Sequence, residues 1–296
     1  MSSTKDYLTL HFLVFLWGFT AILGNLVTIP AVEMVFYRTL LAALGMGALM
    51  LYWKESFAVS NSDLVKLLLT GGIVAIHWIT FFYSGRISNP STSLVGFATC
   101  SLWAAFLEPI VKGRRIQLIE VLLGMVVVGG LYVIFAFDFQ YPLGLFFGIL
   151  SGLTCAIFGV INSLLVKRIN STSITFYEMI GGTITVALFF PYYVSNVAPD
   201  GQLHLNPPPL DWLWIAILAF VCSVYGYAVG IELMKRISVF VIQLSLNLEP
   251  VYGIILALLI FGDREVMGPS FYVGTAIILG AVLSYPLLKA KKNLIT

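Results

Sequence analysis

Charge is what this chain lacks. Only 10% of its 296 residues are Asp, Glu, Lys or Arg, against about 25% in a soluble domain. With 59% hydrophobic residues and a mean hydropathy of +0.98, a soluble fold of this size has no place to bury its apolar surface. The solvent is therefore lipid, and the chain reads as an all-α integral membrane protein. Cysteine is also scarce. Cys100, Cys155 and Cys222 all lie in apolar runs; their odd number argues against a disulfide framework, and no Cys–His spacing suggests a metal. They read as small packing residues. The sequence has no glycine-rich phosphate loop, no HExxH and no Ser/His/Asp arrangement, so ATP hydrolysis and hydrolytic catalysis find no support. It calls for no cofactor, and a net charge of +2 gives no reason to expect nucleic acid.

Long hydrophobic runs, by contrast, are plentiful. Crossing a hydrocarbon core of about 30 Å takes about 20 apolar residues in a helix. Ten segments qualify: approximately 7–28, 31–52, 64–86, 91–111, 116–137, 143–166, 173–194, 210–234, 238–261 and 269–289. The longest link, Ser195–Leu210, contains Pro207, Pro208 and Pro209, which cannot continue a helix. The first span lacks a small-residue cleavage site and is expected to be permanent rather than a signal peptide.

The few cations are unevenly placed. One side collects Lys5, Lys54, Lys66, Lys112, Arg114, Arg115, Lys167, Arg168, Lys235, Arg236, Lys289, Lys291 and Lys292; the other holds Arg86 and Arg264. By the positive-inside rule both termini should be cytoplasmic.

The sequence also repeats itself. Phe36–Arg38 matches Phe176–Glu178 at an offset of 140, and Trp17-Gly18 aligns with Phe158-Gly159 at 141. Arg86–Ser88 matches Arg236–Ser238 at 150, as Gly124 and Gly130 match Gly274 and Gly280. The change in offset falls across the long link. The expected organisation is two five-helix repeats, 1–140 and 141–296, and an odd number of spans per repeat inverts the second relative to the first. Two identical Leu-Glu-Pro triplets, ending at Pro109 and Pro250, lie 141 apart in a region where the offset is 149–150. They are not repeat equivalents and should sit at different depths.

Inverted repeats are a recurring plan for secondary transporters, with substrate held near the midplane, and an ionisable group at that depth is a functional candidate. Glu249 falls near the middle of the ninth span, beside Pro250, which frees the carbonyl of Leu246. Ser245 and Tyr252 should share its face; Gln243 and Asn247 lie nearly opposite and could instead join helices. Arg38, inside the second span, could hold a substrate carboxylate or pair with an acidic side chain. His77 begins a polar stripe with Thr80 and Ser84 and is followed by Trp78; it could relay a proton or simply pack. Trp17, Trp103, Tyr225 and Tyr227 fall inside spans, where they either line a pocket or fill the core. Glu108 lies within reach of Lys112–Arg115 and suggests an ion-paired gate, while Glu120 and Glu178 are expected to snorkel to the same boundary.

The stretches "LWGFTAILGNL", "GRISNPSTSLVGFATCSLWAAFLEP" and "LNLEPVYGIILALLIFGDREV" resemble the drug/metabolite transporter superfamily, in particular its bacterial EamA-domain members. That resemblance implies ten transmembrane helices around a central cavity built from spans one to four and six to nine, with spans five and ten peripheral. It also implies export of amino acids or similar small metabolites across a bacterial inner membrane. The first half departs from the pattern, since "KGRR" lacks the acidic residue of "GDRE". The expected activity is secondary-active, alternating-access transport, with protons as the candidate coupling ion and a monomer or weak dimer in the bilayer. Expected substrate contacts are Glu249, Arg38, His77, Trp78, Asn247, Tyr252, Trp17, Trp103 and Tyr225, with Glu108 and Pro250 as gating residues. The alternative is a membrane-embedded lipid-handling protein or enzyme acting at the bilayer surface, which would need a reactive cluster at one interface.

Overall fold

The computed structural model describes residues 2–88, 90–135, 141–198, 200–249, 251–252 and 269–293. These form helices with no strand among them. In chain order they are α1 (Thr4–Leu26), α2 (Ala31–Tyr52), α3 (Asn61–Ile87), α4 (Pro90–Val111), α5 (Leu118–Phe135), α6 (Pro142–Leu165), α7 (Ser171–Asn196), α8 (Pro209–Leu233), α9 (Val239–Leu246) and α10 (Pro269–Asn293). Seven of them, α1 to α4 and α6 to α8, are long and apolar enough to cross a bilayer. The apolar stretches Leu118–Val133 and Tyr272–Tyr285 are shorter. The expected ninth span is described only as far as Tyr252, and its Pro250, like the Gly-Asp-Arg-Glu segment at 262–265, lies outside the described residues.

Local sequence explains where the helices start. Ser3 and Asp6 form a capping box on α1, with Asp6 N–H donating to Ser3 Oγ (3.3 Å) and Ser3 N–H to Asp6 Oδ2 (2.8 Å). Ser60 caps α3 by accepting from Asp63 N–H. Pro142 and Pro209 open α6 and α8, where the missing N–H costs no intrahelical bond. The outer faces carry Leu8, Leu51, Leu69, Leu188 and Leu283, all exposed, as suits helices solvated by lipid.

Polar ties show which way the helices run. At the basic end, Asp6 at the start of α1 pairs with Arg236 after α8, Asp63 at the start of α3 pairs with Arg168 after α6, and Glu108 at the end of α4 meets Phe240 at the start of α9. At the other end, Asp211 at the start of α8 meets Thr28 after α1, and Ser84 near the end of α3 meets Gly144 at the start of α6. So α6 and α8 run opposite to α1 and α3. Helix α5 packs on α10 and on the outer side of the bundle at α4, and supplies none of the described residues lining the central cavity.

Glycine sets the closest approaches. A Cβ at Gly71 of α3 would lie 2.0 Å from the Glu178 carbonyl of α7, and one at Gly96 of α4 would lie 2.7 Å from Gly148 of α6. Only a glycine lets these backbones meet.

Candidate functional site

A cavity of about 100 Å³ lies at the centre, lined from α1, α2, α3, α4, α6, α8 and the α9 segment. The polar side chains on its wall are few: Thr20, Arg38, His77, Gln243 and Glu249, with Cys155, Cys222 and Tyr227 beside them. The rest is largely aromatic, from Trp17, Trp78, Phe81, Phe82, Phe97 and Phe158. Such a pocket, apolar with a few placed polar groups, is the usual form of a small-molecule site.

Arg38 is 2% exposed, and Nε donates to Ser223 Oγ at 2.9 Å. Its guanidinium carbon sits 3.7 Å from the centroid of the Trp78 ring. The planar cation is thus held by one hydrogen bond and one aromatic face, and no carboxylate pairs with it among the described residues. Glu249 is 7% exposed and has no hydrogen-bond or ion-pair partner among the described residues. His77 lies against Ser151, with Nδ1 3.0 Å from the Ser151 carbonyl and 2.9 Å from its hydroxyl. A carbonyl only accepts, so Nδ1 carries the proton and Nε2 is left as an acceptor.

Helix α8 departs from α geometry at this level. Ile217–Tyr227 forms an 11-residue π-helix, a widening that recurs at functional sites. From it, the Cys222 carbonyl accepts from Trp17 Nε1 (3.2 Å), Ser223 holds Arg38, and Tyr227 donates its hydroxyl to Glu178 Oε2 (2.7 Å). Gly226 and Gly230 lie under the Trp17 indole, where added Cβ atoms would come within 3.1 and 2.9 Å of the ring.

Of the expected contacts, Glu249, Arg38, His77, Trp78 and Trp17 line the cavity; four others lie elsewhere. Asn247 is turned toward α4, its amide donating to Ser101 Oγ (3.3 Å) and to its own helix. The Tyr252 hydroxyl meets His11 Nδ1 of α1 at 3.0 Å. Trp103 is half-buried on α4, and Tyr225 is exposed beside Phe12. Thr80 and Ser84 do not extend a polar path from His77: Thr80 bonds its own helix, and Ser84 donates to the Gly144 carbonyl of α6. Gln243 reaches the cavity wall with its amide donating to Cys155 O, although α-helical spacing set it opposite Glu249. Two expectations about the boundary need correction. Glu178 does not snorkel; it is fully buried against Tyr227 and Asn162. Glu120 is 7% exposed and accepts from Tyr285 of α10.

Both ends are fastened. At the basic end Glu108 pairs with Lys112 (2.7 Å) and Arg114 (3.3 Å) and accepts from the Phe240 N–H (3.0 Å). Beside it lies a vestibule of about 510 Å³ lined by Lys112, Arg114, Lys167, Lys235 and Arg236, and Met234 borders both this vestibule and the central cavity. At the other end Arg86 donates to the carbonyls of Ile29, Gly24 and Val27 while Asp211 accepts from Thr28 and Ile29.

A bundle of lipid-solvated helices around a central, sparsely polar cavity defines the class: a multi-pass membrane protein built to enclose a small solute. The chain belongs to the EamA-like transporter family, whose model matches residues 5–136 and again residues 142–285. The fold is that family's two-repeat arrangement. A solved crystal structure superposes with a TM-score of 0.77 over 98% of this chain and 99% of its own, at 15% sequence identity, a likeness of fold alone. No curated protein matches the chain.

Proposed function

We propose that the protein is a secondary-active exporter of amino acids or similar small zwitterions, working by alternating access between two inverted repeats that join near residues 140 and 141. The observation that carries this reading is the coexistence of Arg38 and Glu249 in one cavity with, among the described residues, no carboxylate on the first and no cation on the second. A guanidinium suits a substrate carboxylate, and a carboxylate suits a substrate ammonium. The aromatic walls then accept an apolar side chain.

The two ends support the export reading. With the cation-rich side in the cytoplasm, as the thirteen-to-two distribution of cations favours, Met234 is the barrier between the cavity and a cytoplasmic vestibule. Substrate would load from that vestibule and leave after the Arg86 and Asp211 ties release. A plasma-membrane exporter of a bacterial cell fits this arrangement. A thermal-shift screen on purified protein tests the ligand class: free amino acids should stabilise it, and analogues with a blocked amine or carboxyl should not. Equal stabilisation by blocked analogues would contradict recognition through both charges.

A further inference from the structure

Away from the substrate-binding pair, α6, α7 and α8 bury a second carboxylate. We propose that Glu178, with Asn162 and Tyr227, forms a proton-binding site that exchanges with the central cavity through the Tyr227 hydroxyl. The proposal rests on the transporter reading for its purpose, but its structural basis is separate.

Glu178 and Asn162 are both fully buried. Two hydrogen bonds converge on Glu178 Oε2, from the Tyr227 hydroxyl (2.7 Å) and from Asn162 Nδ2 (3.1 Å). The same Asn162 nitrogen lies 2.9 Å from the Tyr227 oxygen. Glu178 Oε1, Asn162 Oδ1 and, one turn earlier on α7, Thr175 Oγ1 have no hydrogen-bond partner among the described residues. An ionised carboxylate here would be a buried charge at membrane depth with no cation to pair it among the described residues and with both of its donors on one oxygen. A protonated carboxyl removes that charge, and its Oε2–H can donate to the Tyr227 oxygen while the Tyr227 hydrogen turns away. A metal cation fits less well, since the hydrogens of Tyr227 and Asn162 already point at Oε2 and would repel it.

The neighbouring charges are occupied elsewhere. On α3, His77 is turned to Ser151 and Asp63 to Arg168. On α2, Arg38 is turned to Ser223 and Trp78, and Glu33 accepts from His204 N–H. On α8, Glu232 pairs with Lys235 and Arg236, and on α6 Cys155 lines the cavity. Tyr227 alone among these titratable groups bonds Glu178, and Tyr227 also lines the cavity. Exchange then balances at one oxygen: the Tyr227 hydroxyl proton passes to Glu178 Oε2 as the Tyr227 oxygen takes a proton from hydronium entering the cavity, which leaves as water. Release runs in reverse.

The test is an acid-minus-alkaline infrared difference spectrum of the purified protein, read at the carbonyl stretch of protonated carboxyl groups. The wild type should show a titrating band that is lost in Glu178→Gln and kept in Glu249→Gln. Tyr227→Phe, which removes both the donor to Oε2 and the exchange route, should shift the band's frequency and slow its appearance after a pH jump; it also serves if Glu178→Gln does not fold. A difference spectrum unchanged by Glu178→Gln would overturn the proposal, as would an unshifted band in Tyr227→Phe or a band that responds to sodium instead of pH. The spectrum needs no substrate, so it stands or falls apart from the zwitterion reading. In proteoliposomes that transport, Glu178→Gln should retain substrate exchange and lose accumulation driven by a pH gradient.

Discussion

Arg38 and Glu249 face the same cavity, from α2 and from the segment that follows α9, and form no ion pair with each other. Two opposite charges at this depth would ordinarily neutralise each other. Their separation leaves each available to a ligand, and the packing keeps them apart: Arg38 is anchored to Ser223 and Trp78, and the backbone at Glu249 is pressed against Gly18, where a Cβ would lie 3.0 Å from its carbonyl oxygen.

Arg38→Lys should therefore be far from conservative. An ammonium keeps the charge but loses the planar stacking on Trp78 and the Nε bond to Ser223. The lost contact within the protein lowers stability, while the ligand carboxylate loses a planar two-donor fork, so ligand affinity should fall about tenfold or more. Titration calorimetry with the best ligand from the screen measures it.

Gly71→Ala should destabilise the protein by about 1–3 kcal/mol, because the new methyl meets the Glu178 carbonyl at 2.0 Å and α3 must move from α7. Gly129→Ala is the control: nothing lies within 4 Å of its Cβ, and helix propensity should make it neutral or slightly stabilising. Thermal unfolding in detergent compares the two.

Glu108→Ala should cost about 1–3 kcal/mol through the Phe240 N–H left without its acceptor. Glu108→Gln keeps an acceptor there and should lose less, though both abolish the pairs with Lys112 and Arg114. Equal losses from the two variants would assign the cost to the ion pairs instead.

Arg86→Ala should loosen the end opposite the basic vestibule, since one side chain holds a carbonyl in the last turn of α1 and two just after it. The native Cys222 lines the cavity and reports on access. A membrane-impermeant maleimide added from that side should label Arg86→Ala faster than wild type, and Met234→Ala should raise labelling only from the basic side.

How far the sequence could be read varied by level. The apolar runs set the helices, and the midplane charges Arg38 and Glu249 stood out because lipid makes them expensive. The inward face of α8 was hidden. At 3.6 residues per turn, residues five apart point about 140° away from each other, so Cys222 and Tyr227 would not share a wall. In a π-helix five residues make about one turn, and both line the cavity while Tyr225 faces outward. No propensity signals that change of period. Glu178 is hidden for a related reason: its place near a helix start suggests the boundary, and only the packing of α7 on α2, α3 and α8, with the bond from Asn162 of α6, shows that it is sealed in.

The proposed cargo is a zwitterion held between Arg38 and Glu249. Equilibrium counterflow of labelled amino acids in proteoliposomes tests it most directly. Unlabelled substrate inside wild-type vesicles should drive label uptake, and folded Glu249→Gln should lose it; uptake at the wild-type rate in that variant, or no counterflow of any amino acid by the wild type, would rule this cargo out.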